Sequence, residues 1–223
     1  MEQVVLFGAS KFARDVYVHL KYDSPYEVVA FTVDRAYLRD ETLFEHPVVP
    51  FESVESLYPP DRFRMLVAVG YQRLNEFRSE KCEQAQAKGY RLISYVSSRA
   101  VTWPDQVIGG NCLICPNSVL SPSAQVGDDV VIGPGVLIAH DSIIGDHCFI
   151  GSGASLSGLV TVGPYCFVGT GAIIRDNVTL GRHCIIGAGA VLLEDASDRS
   201  VYMAESAAKL ALSSDRLNLV RQD

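Results

Sequence analysis

The sequence predicts a small parallel α/β module followed by a parallel β-helix. Two observations carry this reading. Short apolar runs alternate with helical patterns through the first hundred residues, and from Ile108 to Leu192 an Ile, Leu or Val then recurs every sixth position without a gap. A chain of 223 residues that is 48% hydrophobic suits one large or two small globular domains. The expected division is a module over 1–100, a β-helix over 101–197 and a tail over 198–223.

The first unit opens with the apolar run Gln3–Phe7, which reads as a strand. Gly8-Ala9-Ser10 turns the chain into a helical pattern with Phe12, Val16 and Leu20 on one face. Tyr26–Thr32 is a second strand ending at Asp34, and Arg64–Val69 a third ending at Gly70. A polar helix is expected from Gln72 to Lys88, then a fourth strand over Arg91–Val96. Strands alternating with helices give a Rossmann-like parallel sheet. Ligands of such sheets bind at the carboxyl ends of the strands. That edge carries Gly8, Ala9, Ser10 and Lys11, then Asp34 and Arg35, then Gly70, Tyr71 and Arg73, the candidate substrate-binding set. The stretch is not G-x-G-x-x-G and no G-K-[S/T] follows, so the dinucleotide signature is weak. A helix N-terminus still suits a phosphate. Ser10 fits a helix cap equally well, and Asp34 a turn.

The second unit has fifteen consecutive hexads, each followed four positions on by a small residue such as Cys112, Ser118 or Ala124. Neither a helix nor plain strand alternation has this period; a hexapeptide repeat is the mark of a parallel β-helix. Three hexads close a triangular coil of about 18 residues, and about five coils stack at the inter-strand spacing of roughly 4.8 Å. Glycine directly after many rungs is expected to permit the corner. Periodicity fixes neither the hand of the coil nor the number of subunits. Cys148, Cys166 and Cys184 are 18 apart and stack on one face with Cys112, as small buried side chains. Cys112-Leu-Ile-Cys115 is a lone C-x-x-C, which the repeat explains better than a metal does.

The net charge of −7 argues against a nucleic-acid partner. No run of 18 apolar residues exists, so no membrane span is expected, and no basic region precedes the first apolar run as in a secretory signal. A cytoplasmic protein is the resulting expectation. Between Val101 and Asp195 two basic residues, Arg175 and Arg182, face eight acidic ones. An anionic ligand there must lean on backbone N–H groups, on those arginines or on another part of an assembly. The two arginines suit either cofactor phosphates or solubility.

One histidine interrupts the small residues of "IAHDSIIGDHCFIG": His140, followed by Asp141. His147 and His183 share another hexad phase and read as outer-surface residues. With "LFGASKFARDV" from Leu6, "SYVSSRAVTWPD" from Ser94 and the coils, the chain resembles a bacterial sugar acyltransferase group to about Ser213. That group includes sialic acid O-acetyltransferases and nucleotide-linked amino-sugar N-acetyltransferases. The resemblance implies a left-handed β-helix, a homotrimer with active sites in the clefts between subunits, acetyl-CoA along the coils as co-substrate, and no metal. It implies a nucleotide-linked amino sugar held by the N-terminal loops, in cell-surface polysaccharide assembly such as that of lipopolysaccharide. The group's His-acid-x-x-Ile-Gly stretch falls on His140-Asp141-Ser142-Ile143-Ile144-Gly145. His140 then becomes the general base and Asp141 its orienting carboxylate. Histidine is the side chain that exchanges protons near neutral pH. The backbone donor for the oxyanion falls on Gly158, and cofactor contacts fall on Gly158, Gly169, Thr170 and Gly187, while Arg175 stays a cofactor candidate on its charge alone.

Two departures stand out. A second, ligand-contacting histidine of some relatives is Phe149 here, and a Gly-x-Pro-Ala loop is replaced by Met203-Ala-Glu-Ser-Ala-Ala-Lys209. The expected reaction is N-acetylation of an amino deoxysugar, with O-acetylation as its near variant. A zinc hydratase on the same coil needs three histidine ligands, two of them close together in one chain, and His140 and His147 lie in different phases. A non-catalytic nucleotide-sugar-binding trimer would bind without turnover.

Overall fold

The computed structural model describes residues 1–104, 106–209 and 211. Asp105, Leu210 and 212–223, and so most of the tail beyond Lys209 including Ser213, lie outside them.

In the N-terminal module, β1 (Glu2–Phe7), β2 (Tyr26–Val33), β3 (Thr42–Leu43), β4 (His46–Pro50) and β5 (Arg64–Val67) form one sheet in the order β3-β4-β2-β1-β5. All neighbours are parallel except the β3–β4 hairpin. Helix α1 (Lys11–Tyr22) starts where expected and buries Ala13, Val16, Tyr17 and Leu20. A short helix α2 (Val54–Leu57) and then α3 (Glu76–Ala87) complete the module. The hairpin was not expected from the sequence. Its turn residues Phe44 and Glu45 both have positive φ, 51° and 67°, without the Asn or Gly that marks such turns. Helix α3 starts four residues later than the pattern implied, because Arg73, Leu74 and Asn75 form a left-handed turn with φ of 49°, 51° and 69°.

The expected fourth strand is split between the two units. Leu92 bridges Met65 beside β5, whereas Tyr95–Val96 (β6) pairs with Leu113–Ile114 of the coils. Ala68 accepts from no new strand here; its own N–H donates to the Phe7 carbonyl and extends the β1–β5 ladder.

From there the chain winds as a left-handed parallel β-helix. All the predicted rungs from Ile114 to Leu192 are two-residue strands, and Ile108 makes a single bridge to Val126. The first face carries Leu113–Ile114, Val131–Ile132, Phe149–Ile150, Phe167–Val168 and Ile185–Ile186, extended by β6 below and Val201–Tyr202 above. The second runs from Val119–Leu120 through Leu137–Ile138, Ser155–Leu156 and Ile173–Ile174 to Val191–Leu192. The third holds Gln125–Val126, Ile143–Ile144, Thr161–Val162 and Thr179–Leu180. The rung residues from Ile114 on and the small residues four positions later form one buried core. Cys112, Cys148, Cys166 and Cys184 are fully buried within it.

The glycine after a rung has a different purpose from the one expected. A Cβ on Gly169 would lie 2.5 Å from the Ala188 nitrogen of the next coil, so these glycines allow coils to approach closely. The left-handed corners belong instead to residues such as Gly153 and Gly171, both at φ +66°.

The module packs on the first face. Arg78 of α3 is fully buried and its Nε donates to the Asp129 carboxylate at 2.8 Å, while its Nη2 donates to the Asp129 and Cys148 carbonyls. The Asn75 amide donates to the Cys166 carbonyl at 3.2 Å. His147 and His183 are not on an outer surface. They stack on either side of Tyr165, with ring centroids 4.6 and 4.8 Å apart, in a column under α3. Helix α3 covers them because its Arg78 needs Asp129, which also bonds His147 Nδ1 at 2.9 Å.

Candidate active site

Two features stand out, a cavity and an exposed corner, and they lie on different sides of one chain. The first is a cavity of about 710 Å³ at the carboxyl ends of β1, β2 and β5. Of the predicted substrate-binding residues, Gly8, Ala9, Ser10, Asp34, Gly70 and Arg73 line it. Lys11, Arg35 and Tyr71 do not: Lys11 is exposed on α1, the Arg35 backbone N–H donates to the Glu52 carboxylate, and Tyr71 packs against the coils.

Each lining residue has a local reason for its place. Gly8 has φ +123° and an added Cβ would sit 2.7 Å from the Ala68 carbonyl oxygen, so only glycine lets β1 and β5 meet the cavity this closely. Ser10 caps α1 by accepting from the Ala13 N–H at 3.3 Å, which directs the helix N-terminus at the cavity. Asp34 lines the wall while accepting from Lys81 Nζ at 2.7 Å, so its charge is matched. Arg14, Tyr37, Arg39, Asp40 and Phe77 also line the cavity and were not foreseen. Arg14 was legible, one turn after Ser10 on the same helix. Tyr37, Arg39 and Asp40 were not, because they sit ahead of the unexpected hairpin.

Where the module meets the first face, aromatic rings close the seam. Tyr71 packs on Phe149 and Phe167 with centroids 5.1 and 4.9 Å away, and Phe149 also meets Phe12 at 6.4 Å. Phe149 therefore joins the two units through apolar contact.

The second feature is the corner between the second and third faces, opposite the module. His140 lies there, between Leu137–Ile138 and Ile143–Ile144, with its side chain 63% exposed. Its Nδ1 lies 3.0 Å from the Asp141 carboxylate, which fixes the ring and leaves Nε2 free. The ring lies against Gly158 one coil above. A Cβ on Gly158 would be 2.6 Å from His140 Nε2, so any other residue would displace the imidazole. The Gly158 carbonyl accepts from Asn177, whereas its N–H donates to no group among the described residues. A proton acceptor and an uncommitted backbone donor thus stand side by side.

The remaining predicted cofactor residues divide between two corners. Arg175 is exposed at the His140 corner, in the same phase as Ala139 and Ser157. Gly169, Thr170 and Gly187 lie at the corner between the first and second faces. One chain does not bring the two groups together. The Gly169 and Gly187 N–H groups already donate, to Ile186 and Tyr202, both at 2.7 Å, and Met203 lies over Gly187. Burial pushes the Cys112 and Cys115 thiols up to about 12, so they are inert at neutral pH. No helix among the described residues is long and apolar enough to cross a membrane.

With this geometry in view, the coils can be set beside known proteins. A model of the bacterial transferase hexapeptide, described as six repeats, matches residues 107–140, 123–158 and 159–194. The match spans the coils and does not extend into the module. Among solved structures, the chain is 26% identical to the acetyltransferase domain of PglB from Neisseria gonorrhoeae, with a TM-score of 0.80 over 92% of this chain and 97% of that one. The same domain has been solved with acetyl coenzyme A. PerB from Caulobacter crescentus, solved with CoA and GDP-perosamine, is 26% identical with a TM-score of 0.82 over 91% of this chain and 94% of that one. WeeI from Acinetobacter baumannii, at 24% identity and a TM-score of 0.77, shares the fold over 89% and 94% of the two chains. No curated protein matches by sequence. The hexapeptide repeats and the N-terminal module are therefore matched as one unit.

Proposed function

We propose that the protein is a sugar N-acetyltransferase that moves the acetyl group of acetyl-CoA to an amino group on a nucleotide-linked deoxysugar. The observation that carries this reading is the placement of His140 Nε2 against Gly158 with its uncommitted N–H. The amine attacks the thioester carbonyl, and His140 Nε2 takes the proton it loses. Asp141 holds the ring and stabilises the imidazolium. The Gly158 N–H receives the developing oxyanion. Collapse forms the amide, breaks the C–S bond, and returns the proton to the departing CoA thiolate.

Support for the acceptor comes from the cavity. Arg14, Arg39 and Arg73 line it with the N-terminus of α1, a setting for a diphosphate. CoA and GDP-perosamine in PerB, and acetyl coenzyme A in the PglB domain, are the ligands of similar structures. The division of the site supports reading the protein as a homotrimer. The cavity and His140 sit on opposite sides of one chain, so a neighbouring subunit has to complete each site. The second face offers exposed Val101, Leu137, Ile173 and Val191 for that contact. Gly169, Thr170 and Gly187 of one subunit would then face His140 and Arg175 of the next across the cofactor. The setting is the cytoplasm, within cell-surface polysaccharide assembly.

The test is a screen of nucleotide-linked amino sugars with acetyl-CoA, following release of free thiol. Turnover with an amino sugar supports the reading. Turnover only with hydroxyl acceptors replaces it with O-acetylation, and binding without thiol release replaces it with a binding protein.

A further inference from the structure

The left-handed corners of the coils are mostly Asn, Asp or Gly, the residues that reach positive φ at little cost. Among the described coil corners one is aliphatic: Leu159, at φ 61°. A branched side chain there is strained. Tyr165, His147 and His183 take the same conformation at φ 61°, 60° and 59°, but they stack on one another under α3, whereas Leu159 has no such packing. Leu159 directly follows Gly158, occupies the corner position one coil above Asp141, and gives its N–H to the His140 carbonyl at 2.9 Å. Its side chain stays 52% exposed, so burial in the chain's own core does not account for it. The corner below is Asp141 and the corner above is Asn177, both of them side chains that suit the conformation.

We infer that Leu159 is a specificity-determining residue for the acyl donor. It supplies an apolar wall beside the Gly158 N–H and His140 Nε2, where the thioester carbonyl would lie, and so limits the length of the acyl chain. The inference rests on the proposed acyltransferase reading of this same site. Strain at an exposed corner, where the chain's own packing does not account for it, fits a site held for function rather than for the fold.

Leu159→Asn and Leu159→Gly test this against Leu159→Met, which keeps an apolar side chain. For each variant the measurements are melting temperature, mass by light scattering, and kcat/KM with acetyl-, propionyl- and butyryl-CoA. Equilibrium binding of the same thioesters is measured alongside. Asn and Gly are expected to raise the melting temperature by roughly 2–4 °C by relieving the left-handed leucine. They are also expected to raise the butyryl-to-acetyl ratio of kcat/KM by roughly 10–100-fold, while Met leaves it unchanged. An unchanged ratio in Asn and Gly overturns the inference, as does a fall in oligomer mass, which would make Leu159 an interface residue. If the wild type binds no CoA thioester, the acyltransferase reading falls with it. If thioesters bind and the ratio stays fixed, only the role of Leu159 falls.

Discussion

At the scale of single residues, the site depends on one contact that tolerates no addition. Gly158 has no side chain, and His140 Nε2 occupies the space a Cβ would take. The imidazole is exposed and, among the described residues, hydrogen-bonded only to its neighbour Asp141, so it contributes little to the fold. Replacing His140 with alanine is therefore expected to lower transfer by about 10²–10⁴-fold with no shift in melting temperature. Steady-state rates and a thermal melt on the same sample check both halves. The six-residue frame sets His140 at a corner and Gly158 one coil above it, while the roles proposed for them come from the resemblance and not from the frame. Arg39 and Asp40 were not legible. They reach the cavity only because Phe44 and Glu45 make a tight hairpin turn without the residues that usually mark one.

At the scale of elements, the joint between module and coils is polar at its centre. Arg78 and Asp129 are buried together, and Asn111 and Cys82 also bond the same carboxylate. Removing one partner strands the other charge, so Arg78→Met is expected to cost about 3–5 kcal/mol, read as a large fall in the urea midpoint. Burial, then Asp129, pushes the Cys82 thiol well above its ordinary range, which keeps it out of the chemistry. A second tie is Asp23 at the end of α1, whose carboxylate accepts from Tyr95, Ser97 and the Ser98 N–H. Hydrogen bonds from Ser98, Ser97 and Tyr95 hold its carboxyl well below the usual carboxylate range. A lowered folded value stabilises the protein above the unfolded pKa of about 3.9, and that stability is lost as the pH falls further. Asp23→Asn is accordingly expected to melt lower than the wild type at pH 7, with the gap closing below about pH 4. Apolar runs announced β1, β2 and β5 but neither the β3–β4 hairpin nor which strand pairs with which. Arg91–Val96 reads as one strand, yet Leu92 serves the module and Tyr95–Val96 the coils, because a run carries no record of which sheet lies beside it. The left-handed turn at 73–75 hid the start of α3 for a similar reason: Asn75 takes that conformation to reach the Cys166 carbonyl, a tertiary demand.

At the scale of the whole molecule, the triangular prism places its working parts on opposite sides. The module covers the first face, and His140 stands on the corner between the other two. Subunits arranged about an axis would bring the cavity of one chain to the imidazole of the next, with acceptor and thioester meeting between them. That arrangement is an implication of the resemblance alone, since periodicity gives the prism but neither its hand nor its partners.

Two crippled chains can test the arrangement directly. His140→Ala removes the base. Gly70→Trp places an indole at the cavity from a position where an added Cβ meets no atom within 4 Å, and a thermal melt on the variant checks that the fold is kept. Each variant alone is expected to be inactive in acyl transfer. Co-expressed and purified as mixed oligomers, they are expected to recover a clear fraction of wild-type turnover, because some sites then pair an intact cavity with an intact His140 from another chain. Mixed oligomers as inactive as either parent would contradict a site shared between subunits.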